Sequence, residues 1–516
     1  MPSSLDRLDI AVCAAVLVAI TIIYLNQRRN RYPYPPGPKG LPILGNILDI
    51  PEQRQWITYA RWGRESGSPI IRLNVLGTTI IVINDLKTAV DLFEKRGDLY
   101  SNRPRMPMVN EALGFDWDIG FTEDMERWKI CRREFTIRFR QIASRNYRDH
   151  ELAVTHELLN KLLLSPNDFM RHIRYMAGKL VLDIAYGIKA KPENDEYIEI
   201  AEKGLEGLEK SGDKNIIDIL PWVQHLPGWL PGMGWKRQVD ECRRWSFAMR
   251  DTPFEYVKTQ LVKGLAKPSL TTDLLETLEG RFPNLKTKES YIKTIAGTVY
   301  SAGSDTTISI LNALILTMVM FPDIQQRAHA EIDLVIGPDR LPEFSDEGEL
   351  PYITAIIKEL LRWNVIQPFA LPHSTASDDI YKGYYIPKGA TVLGNAWAIL
   401  NDPVAYPEPE VFNPDRFLML NGKLDPNVQE PGVAFGFGRR ICPGRFMAMD
   451  SMWITTACIL AAFKIGRAVG PDGKEIIPSG EFQPGLVVHP LPFKCDIKPR
   501  SEQALTLIRA SQERWA

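Results

Sequence analysis

The stretch Phe435–Gly444, FGFGRRICPG, constrains this chain more than any other. It sets one cysteine, Cys442, among glycines and arginines just ahead of RFMAMDSMWITTACILAAF, a run that reads as a helix with one apolar face. A thiol becomes a metal ligand only as the thiolate, and nearby cations and a helix N-terminus lower its pKa. Arg439, Arg440 and Arg445 supply the cations, and Pro443 and Gly444 lead into the helix. Gly436 and Gly438 permit a tight turn and close approach of the backbone to a flat ligand. Phe435 is placed to cover the sulfur. The competing reading is a buried structural thiol, one of six cysteines in the chain.

The other cysteines are scattered and form no zinc spacing, which fits reduced thiols in a reducing compartment. Charge is balanced, with 62 basic and 63 acidic residues, so a nucleic-acid partner is not indicated. Near the N-terminus, Ile10 to Gln27 carry no charge, enough for a single membrane span, and Arg28, Arg29 and Arg31 follow at once. The positive-inside rule then leaves the body in the cytosol. A cleaved signal peptide is the alternative, but the basic cluster lies on the wrong side for one. The reading is an anchor over 1–27 and a basic, proline-rich linker over 28–40, stiff and extended. A second, shallow membrane contact is expected at 220–235, where three tryptophans sit in a loop rich in proline and glycine.

Beyond the linker, strands cluster near 70–84, 371–394 and 476–497, with a hairpin around Gly77, and helical patterns fill the rest. In DMERWKICRREF, Trp128 and Arg132 are four apart and share a helix face. From Lys293 to Asp323 the only intervening charge is Asp305, in AGSDTT. The run suits a long core helix, and a second membrane span is the alternative. A lone acid there is costly without a partner or a task, and Thr306 beside it can donate and accept. Ala302 and Gly303 are small enough for a planar group to approach the backbone. Glu359 and Arg362 are three apart in KELLRW and able to pair, and FNPDRF follows with Arg416.

The pattern F-x-x-G-x-R-x-C-x-G is complete at Phe435, Gly438, Arg440, Cys442 and Gly444. With W-x-x-x-R, AGSDT and E-x-x-R in order before it, the chain resembles the cytochrome P-450 superfamily of haem-thiolate monooxygenases, and fungal microsomal members in particular. The resemblance implies a mainly α fold with small β-sheets, a single catalytic domain over 41–516, and heme b ligated by Cys442. It implies that Trp128, Arg132, His373 and Arg440 meet the haem edge, with Ala302, Phe435 and Gly444 against its plane. Thr306 and Asp305 would carry oxygen activation and its proton supply. Glu359, Arg362 and Arg416 would stabilise the fold, with Asp415 standing where the family usually has glutamate. Substrate contacts would come from residues 106–121, including Val109 and Leu113, and from Tyr300, Ala302, Phe369, Leu371, Leu486 and Val487. These are mainly apolar, so a lipophilic substrate is expected: a terpenoid, a polycyclic aromatic or a xenobiotic, in secondary metabolism or detoxification. Electrons would come from NADPH through a separate NADPH-cytochrome P-450 reductase, because the chain has no dinucleotide fingerprint, and the donor would dock on the basic run from Arg127 to Arg140 together with Arg439 and Arg445. The location would be the endoplasmic-reticulum membrane, single-pass. A haem-thiolate isomerase or dehydratase, or a non-catalytic membrane haem protein, are the alternatives.

Overall fold

The computed structural model describes residues 32–211 and 216–515. The anchor expected over 1–27 lies outside the described residues, as does the start of the linker. The chain forms two compact units: the residues up to Pro104 with Pro372–Asn395, and Arg105–Leu371 with Ala396 onward.

β-Branched residues dominate the first unit's strands. Ile70–Val75 (β1) and Thr78–Ile83 (β2) pair antiparallel, from Ile70↔Ile83 to Val75↔Thr78. Leu76 and Gly77, at φ 47° and 89°, form the two-residue turn whose left-handed backbone matches strand twist. His373–Ser374 (β3) and Thr391–Gly394 (β4) complete a sheet of order β1-β2-β4-β3, with β4 parallel to β2. Helix Gln55–Glu65 (α1) covers β1 through Tyr59 and Ala60. The described part of the linker is extended, as its prolines dictate, and it is moored to this unit. Arg72 N–H donates to Pro36 O and Tyr385 N–H to Pro33 O, both at 2.8 Å, and the Arg72 guanidinium lies 3.9 Å from the Tyr34 ring centre. At Gly37 the backbones touch so closely that a Cβ would fall 2.0 Å from Arg72 O.

Helices build the second unit. Met125–Phe139 (α2) starts where the Asp124 carboxylate accepts from the Glu126 and Arg127 N–H groups. Arg148–Leu164 (α3), Phe169–Tyr186 (α4), Glu196–Lys210 (α5) and Trp235–Val262 (α6) follow. Leu285–Met320 (α7) is capped by Asn284 and runs 36 residues, about 54 Å at helical rise. It is the core helix expected from its composition: 72% of its most apolar window is buried, against α4, α6 and Arg445–Ala462 (α9) among others. Pro351–Trp363 (α8) precedes α9 in the chain. Phe463–Arg467 (β5) continues α9 without a break and pairs with Cys495–Pro499 (β8), while Phe482–Gln483 (β6) pairs with His489–Pro490 (β7). Strand β5 falls outside the expected clusters, because Phe463 extends the apolar pattern of the helix before it. Glu502–Glu513 (α10) closes the chain, packed on α3 and α9.

Candidate functional site

The Cys442 loop is held by its own backbone. Cys442 N–H donates to Phe435 O at 2.8 Å, and Gly436 and Gly438 take φ 84° and 53°, values that exact a penalty from any side chain. Helix α9 begins three residues later, so the Gly444 and Arg445 N–H groups point at the sulfur. Burial nevertheless pushes the Cys442 thiol up, and those N–H groups and the Arg132 and Arg445 guanidiniums only partly offset it. The expected lowering by flanking cations and the helix N-terminus is present, and burial opposes it. A coordinated metal cation would favour the thiolate here, since a coordinating thiol is deprotonated outright.

Helix α2 braces the loop. Arg132 Nη1 donates to Ile441 O at 2.6 Å, and the Arg440 guanidinium lies 4.4 Å from the Trp128 ring centre. Arg440 also donates to Ile119 O at 3.2 Å. The shared face of Trp128 and Arg132 thus meets the Cys442 loop, as their spacing implies. His373 lies in the other unit, buried, with Nδ1 2.7 Å from Tyr100 O and its ring 4.5 Å from that of Phe93. The members of the basic run on α2 differ in their surroundings. Arg127 is tied to Ser290 on α7, and Arg138 to Glu134 and Asp273, leaving Lys129, Arg133 and Arg140 on the exposed side.

Helix α7 exposes Ala302 in the middle of an otherwise buried stretch, with Thr306 half-exposed one turn on. The Thr306 hydroxyl donates to Ala302 O at 2.8 Å. This open waist suits a flat group laid against the helix. Gly303 serves another purpose than the one expected: a Cβ there would meet Val181 Cγ1 at 2.8 Å, so its smallness lets α4 pack on α7. Tyr300 turns from the waist as well. It is buried, its hydroxyl donates to Tyr197 O, and its ring meets Tyr186 edge-on at 6.1 Å. Asp305 stands beside His489, with Nε2 3.1 Å from Oδ1.

Asp118, unremarked in the sequence, fastens the loop ahead of α2 to the same helix. Its Oδ2 accepts from Ser301 Oγ at 2.6 Å and its Oδ1 from Gly120 N–H at 2.7 Å, while Ile119 N–H donates to Thr298 Oγ1 at 3.2 Å. An acid in the apolar run GFDWDIGF was the available signal. Val109 and Leu113 on this loop are buried, and Leu371 approaches it at Gly120, where a Cβ would lie 3.2 Å away. Phe369 is half-buried beside Ala370, whose φ of 51° turns the chain. Leu486 and Val487, also half-buried, precede Val488, which accepts from Ser309 Oγ at 2.5 Å and donates to Ile366 O at 2.9 Å.

Glu359, Arg362 and Arg416 do converge. Arg362 donates twice to Glu359 at 2.7 Å, and Arg416 Nε approaches the same carboxylate at 3.1 Å. Asp415 pairs instead with Arg327, so the departure from glutamate leaves the cluster untouched.

A thiol loop braced by a tryptophan and arginines, in one unit with a core helix that is open at an Ala–Thr waist, is the site of a haem-thiolate oxidoreductase. The profile of the cytochrome P450 family matches residues 35–497, and the chain belongs to that family. It is 39% identical to cytochrome P450 monooxygenase 98 of Postia placenta, over 98% of this chain and 99% of the relative. It is likewise 39% identical to cytochrome P450 monooxygenase COX2 of Coprinopsis cinerea, over 99% and 98%. To tryptamine 4-monooxygenase of Psilocybe cyanescens it is 39% identical over 96% and 99%.

Proposed function

We propose that this monooxygenase oxidises a lipophilic small molecule, drawing electrons from NADPH through a separate reductase while anchored in the endoplasmic-reticulum membrane. The Ala302–Thr306 waist of α7, open within a buried helix, is the observation that carries this reading. Cys442 would ligate haem there, and Phe435, Gly444, Ala302, Trp128, Arg132 and Arg440 would hold it. Bound haem supplies dioxygen activation and oxygen insertion into a C–H bond. Thr306 positions a proton at the oxygen to be cleaved, and Asp305 resupplies it from solvent. Val109, Leu113, Phe369, Leu371, Leu486 and Val487 line the substrate side and keep it apolar. Tyr300 is left out of that set because its ring and hydroxyl are engaged elsewhere.

Two surface features support the partners. Lys129, Arg133 and Arg140 rim a hollow of about 390 Å³ on α2, a basic face for an acidic electron donor. Trp222 and Trp229, 59% and 80% exposed, present the second membrane contact.

Reconstitution with NADPH-cytochrome P-450 reductase tests the proposal. Terpenes, steroids, polycyclic aromatics and tryptamine, the last for the relative that bears its name, are incubated and read by mass shift. One-oxygen products that require both NADPH and dioxygen are expected. Turnover unchanged under anaerobic conditions favours the isomerase class instead.

A further inference from the structure

The seam between α3 and α9 encloses an acid. Arg148 opens α3 and donates to Asp450 of α9 twice, with Nε 3.0 Å from Oδ2 and Nη2 2.8 Å from Oδ1. Two turns on, the Thr155 hydroxyl donates to Glu151 O at 2.7 Å, so its Oγ1 accepts from Thr455 of α9 at 3.1 Å. At about 100° per residue, Glu151 lies within about 60° of both Arg148 and Thr155, and so faces α9 as they do. On the facing helix Ser451 falls between Asp450 and Thr455. Glu151 is 0% exposed and Ser451 4%. Among the described residues, no hydrogen bond reaches either Glu151 carboxyl oxygen or Ser451 Oγ.

A buried carboxylate needs a cation or several donors. The nearby guanidinium is already engaged: Arg148 serves Asp450, and its Nη2 also stands 3.5 Å from Glu347 Oε2, in the helical turn Phe344–Glu349. An ionised Glu151 would be a third carboxylate around one guanidinium, in a seam closed to water. Burial first and Asp450 second push the Glu151 carboxyl well above its usual 4.5, and Arg148 offsets them only in part. Glu347 is raised by the same two causes in the same order, against Arg148 and Arg145. The other helices packed on α3 meet it elsewhere, α4 at His150 and Glu157 and α10 at His156 and Asn160.

We propose that Glu151 is a proton-held catch on the thiolate helix: neutral, it lets α3 close on α9, and ionised, it parts the two and slackens the Cys442 loop. The route is short. Helix α9 starts at Arg445, whose N–H and that of Gly444 point at the sulfur, and Ser451 lies less than two turns further on. Loosening those first turns draws the two donors away from the thiolate. Ionisation breaks the carboxyl O–H bond and hands the proton to a base in solvent, and no electron moves. A folded chain that keeps this proton above 4.5, where the unfolded chain has lost it, takes up a proton on folding. The contribution of the catch is therefore whole below 4.5 and drains as pH rises through the raised value of the folded state. The catch depends on haem ligation by Cys442 and is independent of the substrate.

Two measurements on the full-length, haem-loaded protein test the catch. The infrared difference between wild type and Glu151→Gln at neutral pH should contain the carbonyl stretch of a protonated carboxyl, shifted in heavy water and missing from the variant. Asp450→Asn removes a negative neighbour and frees Arg148, so the pH at which that stretch titrates should fall by about one unit. A difference spectrum without the stretch overturns the proposal, because Glu151 is then ionised in the fold. In the second measurement, the carbon-monoxide band of the thiolate-bound haem is followed as pH rises. Wild type should lose it at the pH where the Glu151 stretch disappears, and Glu151→Gln should keep it for about one further pH unit or more. The same midpoint in both proteins, or a thiolate band lost while the Glu151 stretch persists, overturns the proposal. If Glu151→Gln misfolds and lacks the band at every pH, Asp450→Asn decides: its band should be lost about one unit below wild type, and an unmoved midpoint counts against the catch. A wild type without the thiolate band at any pH refutes the ligation on which the catch acts, whatever the infrared shows.

Discussion

Arg362→Met isolates the energetics of the Glu359 cluster. Glu359 and Arg362 are both 0% exposed. Arg362 Nε and Nη2 each donate to Glu359 at 2.7 Å, and its remaining N–H groups reach Pro409 O at 2.8 Å, Leu400 O at 3.2 Å and Val411 O at 3.3 Å. Methionine fills much of the volume but donates nothing. Glu359 keeps Arg416 and the Asn413 N–H at 2.8 Å, so the carboxylate is weakened rather than abandoned. Breaking a buried pair from one side costs about 3–5 kcal/mol. The surviving arginine argues for the lower figure and the three carbonyls stripped of a donor for the higher, and we take about 4 kcal/mol. With a urea slope of about 3 kcal/mol per molar for a large chain, the unfolding midpoint should fall by roughly 1.3 M. Adding Glu359→Gln should recover part of the loss, since it removes the buried charge that Arg362 was neutralising. A midpoint within about 0.2 M of wild type, or strictly additive losses in the double variant, would refute the reasoning.

Gly303→Val should destabilise by about 1–3 kcal/mol through its clash with Val181, and Val181→Ala should restore much of it in thermal unfolding; no effect would mean that the two helices are not packed there. Serine at both Trp222 and Trp229 should release a variant lacking residues 1–27 from lipid vesicles, and unchanged partitioning would remove the second membrane contact. His156, which accepts from Trp515 Nε1 at 3.0 Å, has its pKa lowered by burial from 6.5 to about 4. A depressed histidine stays neutral when folded, so its contribution is whole above pH 6.5 and drains as pH falls toward about 4. Hydrogen exchange at α10 should accelerate over that window, and protection that ignores pH from 7 down to about 4 would contradict it.

Local spacing carried most of what could be read in advance. Trp128 with Arg132 and Glu359 with Arg362 lie within one helical turn or so, and each pair is where its period puts it. The hairpin at Gly77 and the core helix at Asp305 follow from patterns of two and of apolar length. What escaped is non-local. Asp118 meets Ser301 across 183 positions, and Asp305, Glu209 and His489 come from three separate elements, so no window of sequence contains their contact. Small residues misled for a related reason: Gly303 looked like room for a cofactor, but the rotation of α7 aims it at α4. At the thiol, the arginines could be counted in the sequence, whereas the desolvation that opposes them arises only on folding.

Reduction under carbon monoxide puts the ligation by Cys442 to the most direct trial. Wild type should give the red-shifted absorption band of a thiolate-bound haem, and Cys442→Ser should abolish that band. The same band from both proteins, or from neither when haem is bound, would contradict the account.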